Sequence, residues 1–99
     1  MDNTVYKISK YVLKRFEENA NTEGGLEILY NTKTNKYWTG NSSCRFLINL
    51  IDGKNTVQEI YKTLANTTFV DFSLDEIKES FTSIFNELEV LNLIEKIVK

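Results

Sequence analysis

The apolar positions of this chain change period near Asn41. Upstream they alternate. In LEILY (Leu26–Tyr30), Leu26, Ile28 and Tyr30 fall on one face, the two-residue period of a half-buried strand. The turn cluster NTKTN (Asn31–Asn35) follows, and KYWT (Lys36–Thr39) reads as the returning strand of an antiparallel hairpin. Ahead of both, KYVLKRF (Lys10–Phe16) mixes β-branched, aromatic and charged residues and reads as the first strand. A hairpin alone is marginal in water, so this sheet must lean on other elements. Residues 1–9 are expected to form a loosely ordered N-terminal segment.

Downstream of Asn41 the period becomes helical. Asn41 or Ser42 caps a first helix that runs to about Ile51, where Asp52-Gly53 supplies the left-handed stop. Thr56 with Glu59 three residues on is a capping box, opening a second helix over Val57–Ala65. After the connection NTTFVDF, Ser73 and Glu76 form another capping box. The third helix is the longest, with Ile77, Phe81, Ile84, Leu88 and Leu91 in one stripe, and it ends near Asn92. The tail from Leu93 to Lys99 suits either a short strand or a helical extension. The expected fold is α+β and a single domain over residues 1–99: an N-terminal three-stranded antiparallel sheet followed by three helices, a winged helix-turn-helix.

A helix, a glycine turn and a second helix are the skeleton of a DNA-reading motif. Charge argues against that use. The chain carries a formal −2, and from Asn41 onward there are six basic and nine acidic residues, so phosphate contacts would be opposed along most of the helical surface. No apolar run is long enough to span a bilayer, and the opening MDNTVYKISKYVLKRF does not resemble a signal peptide. Cys44 is the only cysteine, which suits a reducing cytoplasm and excludes an internal disulfide. The chain has no histidine, removing the commonest general base and metal ligand. Ser42, Ser43 and Cys44 near a helix start therefore read as capping and packing residues, and neither catalysis nor a cofactor is expected.

The stretch NTKTNKYWTGNSSCRFLINLIDGKNTVQEIYKTL resembles the PqqD-like family, also called RiPP recognition elements. Asn41 stands at that family's Asn after the hairpin, Asp52-Gly53 at its Asp-Gly, and Thr56-Val57-Gln58-Glu59-Ile60 at the opening of its second helix. FNELEVLNLI looks like the closing helix, so the resemblance covers roughly residues 24 to 95. Gly40 departs from the apolar residue usual before the Asn, and Asn92 stands where the family usually has Gly.

The resemblance implies a peptide-binding adaptor. Such proteins bind the leader of a ribosomally made precursor as an added strand on the third sheet strand, in a groove walled by the third helix. They present the precursor to a modifying enzyme such as a radical-SAM maturase, a cyclodehydratase or a leader peptidase. Here the edge would be Lys36, Tyr37, Trp38 and Thr39, and the helical wall Leu74, Lys78, Phe81 and Phe85, with Lys78 available to an acidic leader residue. Trp38 and Phe85 each have an alternative as plain core residues. Ile77, Ile84 and Leu88 mark the expected centre of the core stripe, and Val90 a stray surface hydrophobe. A homodimer through the same free edge stays open. A small winged-helix transcriptional regulator is the runner-up.

Overall fold

A computed structural model describes residues 3–18 and 24–97, in the order β1 (Val5–Ile8), β2 (Val12–Glu17), β3 (Leu26–Asn31), β4 (Tyr37–Asn41), α1 (Ser42–Asn49), β5 (Asp52–Thr56), α2 (Val57–Thr67), α3 (Leu74–Val90) and β6 (Ile94–Lys96). The strands form two antiparallel three-stranded sheets, β2-β3-β4 and β5-β1-β6. The expected three-stranded antiparallel sheet is present as β2-β3-β4, but it is one of two and is not N-terminal, because β1 of the other sheet precedes it.

The second sheet corrects the expectation in three places. Val5–Ile8, expected to be loosely ordered, is the central strand, flanked by β5 and β6; residues 1 and 2 lie outside the described part. Asp52-Gly53, expected to stop α1, lies past its Leu50 C-cap and opens β5 instead of leading straight into α2. The tail resolves as a strand over Ile94–Lys96, with residues 98 and 99 outside the described part. The shared cause is that each of these strands pairs with a segment remote in the chain, so tertiary pairing rather than local pattern sets its conformation. Val57 N–H, an orphan donor of the first helical turn, is satisfied by Thr4 C=O at 2.9 Å. Ile97 N–H bonds Val5 C=O at 2.9 Å, so β1 ties both ends of the helical half together.

Helix boundaries follow local chemistry. Asn41 caps α1 by accepting from Ser43 N–H, and both capping boxes, Thr56/Glu59 and Ser73/Glu76, are complete. Asn92 (φ 58°) takes the left-handed conformation just after α3, as expected, whereas α1 ends earlier, on Leu50 in right-handed geometry, and the left-handed Gly53 (φ 80°) turns the chain within β5. Asp52 holds its turn through Oδ1, which accepts from Lys54 and Asn55 N–H at 2.9 Å each.

In β3 the alternation is real but faces the other way. Leu26, Ile28 and Tyr30 share the outer, half-buried face, whereas Glu27, Leu29 and Asn31 are buried. The reason is α1: it starts directly after β4 and brings Cys44 and Leu47 down onto the Trp38 side of the sheet. Asn31 is well served there. Its Nδ2 donates to Asn92 C=O at 2.8 Å, and its Oδ1 accepts from Lys33 and Thr34 N–H, joining the β3–β4 turn to the end of α3. Glu27 is not: it is 1% exposed and its Oε2 has no hydrogen-bond partner. Burial pushes its carboxyl above the usual range, against the pull of Lys14 and Arg45.

A raised carboxyl stabilises the fold fully only below the ordinary glutamate range, and that contribution is lost as pH rises through the raised value. Glu27→Gln should therefore be more stable than the wild type at neutral pH, by about 1 kcal/mol. The gap should close as pH falls toward 4, read by thermal or urea unfolding across pH.

Candidate functional site

The site begins with the backbone of β4. Asn31 N–H bonds Lys36 C=O at 2.8 Å, which makes that a hydrogen-bonded pair. Such pairs alternate along an antiparallel ladder. With Leu29 opposite Trp38 and Glu27 opposite Gly40, Trp38 and Gly40 direct their N–H and C=O groups toward β3. Tyr37 and Thr39 direct theirs the other way. Among the described residues no strand pairs with that side of β4, so it is a free edge.

The side chains of β4 divide the opposite way. Tyr37 is 65% exposed and Thr39 is exposed, both on the outer sheet face with Tyr30 and Ile28. Trp38 points inward and is 6% exposed, within the core. Its ring lies over Gly40, where a Cβ would collide with the indole and press on Cys44 Sγ. That contact accounts for glycine at position 40. Cys44, expected to face the interior, is buried, and burial pushes its thiol up. Lys36 is exposed in the turn just before β4.

On α3 the buried positions are Ile77, Phe81, Phe85 and Leu88, so the core stripe centres near Phe81 and Ile84 moves to its margin. Phe85 is 0% exposed. Its ring stacks on Tyr6 of β1 at 5.5 Å and meets Tyr61 of α2 edge-on at 5.9 Å. It is a core residue in this conformation and offers a peptide no surface. The flank of Leu74 and Lys78, both half-buried, also carries Thr82, whose hydroxyl shares a hydrogen bond with that of Tyr61 at 3.1 Å. That flank faces α2. Farther along, Tyr6 OH donates to Glu89 Oε1 at 3.3 Å; burial first, then this carboxylate, pushes the phenol up to about 12.

About 60° to the other side of Phe81 lies Ile84, with Leu91 two turns on, both half-buried against the core. The Asn31–Asn92 bond brings the β3–β4 turn to this end of α3. The structure thus brings Lys36, Tyr37 and Thr39 together on an edge, Trp38, Phe81 and Phe85 together in the core, and Leu74 and Lys78 to the α2 side. Ile84 and Leu91 stand in the apolar stripe of the sequence, where spacing alone assigns them to the core.

Among the described residues no group of His, Cys, Asp and Glu is arranged to hold a metal ion, and no helix is long and apolar enough to cross a membrane. The family model of coenzyme PQQ synthesis protein D (PqqD) matches residues 27–94, from the second residue of β3 to the first of β6. No curated protein and no solved structure matches the chain.

Because Trp38 is the only tryptophan, its emission reports the packing over Gly40. Gly40→Ala should displace the indole, shift its emission to longer wavelength and cost about 1–3 kcal/mol of stability. Cys44→Ala, which relieves the same corner, should leave the emission nearly unchanged.

Proposed function

The chain belongs to the PqqD family, and on that premise we propose that it captures the leader of a precursor peptide as a fourth strand on β4. It then hands the precursor to a modifying enzyme, holding no cofactor and catalysing nothing itself. The observation that carries this reading is the free edge: Tyr37 and Thr39 each turn an N–H and a C=O away from β3. An unpaired edge is a template for β-augmentation. The helical half then acts as the winged-helix support of that edge, and the adaptor works in the cytoplasm.

Backbone pairing alone is too weak. Each hydrogen bond nets about 0.5–1.5 kcal/mol, whereas micromolar binding needs about 8 kcal/mol. Side chains must supply the rest. Lys36, Tyr37 and Thr39 along the edge, and Ile84 and Leu91 on the α3 flank away from α2, are the surfaces available for that. This flank serves as the wall because Phe85 is enclosed and the Leu74–Lys78 flank faces α2.

Isothermal titration with a precursor leader peptide tests the proposal. Thr39→Pro removes one outward donor and should weaken binding about tenfold or more, while Thr39→Ala should bind nearly as the wild type does. Equal binding by a folded Thr39→Pro variant would overturn strand addition. A random DNA duplex should show no salt-sensitive binding; micromolar affinity that falls steeply with salt would favour the transcriptional reading instead.

A further inference from the structure

A recess lined by no residue of β4 lies where the α2–α3 connection meets the first turns of α3. Phe69 is its hub. Its ring lies 5.7 Å from Phe81, 6.3 Å from Phe72 and 6.4 Å from Phe46, centroid to centroid. Phe46 and Phe72 remain 47% and 53% exposed, with Val70 more open still. The cavity measures about 120 Å³ and is lined by Phe69, Phe72, Glu76, Ile77, Ser80 and Phe81. Pockets for small molecules and cofactors run to about 300–1,000 Å³. This one is on the scale of a single side chain.

Its charge is one-sided. Glu76 forms part of the wall, and its carboxylate is fixed there because Oε1 accepts from Ser73 N–H at 3.0 Å, which also holds its carboxyl below the usual range. Asp75 and Glu79 are exposed on other faces of α3, because sequence neighbours on a helix point about 100° apart, so Glu76 supplies the charge of this rim. No lysine or arginine lines the recess, and Lys78 sits on the flank of α3 that faces α2. An apolar slot with an anionic rim selects its occupant on two counts.

We propose that this recess docks a peptide segment of a partner protein in which an apolar anchor residue stands beside a lysine or arginine. The anchor enters among Phe69, Phe72 and Phe81, and the cation meets Glu76 at the rim. The site goes beyond the β4 edge and shares no lining residue with it, so the two readings stand or fall separately.

Titration of the ¹⁵N-labelled full chain with N-acetyl-leucyl-lysine amide and N-acetyl-leucyl-glutamate amide, at millimolar concentration, tests the assignment. The lysine probe should give saturable amide shifts at Phe69, Phe72, Ser80 and Phe81. The glutamate probe should bind about threefold or more weakly, as loss of an exposed ion pair predicts, and added salt should narrow the difference. Ser80→Trp, at an exposed helical position, should fill the slot and abolish the shifts with the helical circular dichroism retained; Ser80→Leu serves the same purpose if the larger residue unfolds the chain. Absence of saturable shifts with the lysine probe would overturn the proposal. So would equal affinity for both probes, or unchanged binding by a folded filled variant.

Discussion

A β-strand has two hydrogen-bonding sides, and β4 uses one of them. That constraint governs what this molecule can offer a partner. Six strands could have merged into one sheet, leaving other edges or none. Instead β1 takes β5 and β6 as neighbours in a sheet of its own, and among the described residues no strand pairs with the outer side of β4 in β2-β3-β4. The chain leaves β4 directly through the Asn41 cap into α1, which covers the inner face of the sheet and leaves its edge open.

Keeping that edge in place is the task of the second sheet and the helices. Phe85, enclosed by Tyr6 and Tyr61, joins α3 to β1 and α2 through ring contacts that add about 0.5–1.5 kcal/mol each beyond simple burial. Asn31 and Asn92 join the hairpin turn to the end of α3 with one half-buried bond. Glu27 works in the other direction. A carboxylate oxygen without a partner, under α1 and beside Phe16, destabilises the sheet that carries the site.

What the sequence discloses depends on how far each signal reaches. Caps are local, so Asn41, Thr56 with Glu59, Ser73 with Glu76, and Asn92 mark the helix ends within a few residues. The hairpin and its edge strand are equally legible, because NTKTN lies between two short apolar runs. Sheet membership is not local. DGKNT is a string of turn-forming residues, and it becomes a strand because β1 lies beside it. The inner face of β3 is hidden for a related reason: alternation points to Leu26, Ile28 and Tyr30, but the placement of α1 selects Glu27, Leu29 and Asn31. On α3 a shift of the core direction by about a third of a residue step encloses Phe85 and frees the margin at Ile84. Spacing resolves the stripe but not its exact bearing.

The candidate site is therefore a backbone feature first and a side-chain feature second. Family membership and the free edge support the same use of β4, and the exposed Tyr37 and Thr39 side chains leave its backbone accessible. Amide hydrogen exchange, residue by residue, with and without the leader peptide, addresses that use most directly. Strand addition predicts that the Tyr37 and Thr39 N–H groups, which point away from β3 and should exchange freely in the unliganded chain, become protected when the leader is present. Trp38 and Gly40, already bonded to β3, should change little. Protection confined to α2, with Tyr37 and Thr39 still exchanging freely, would contradict the account.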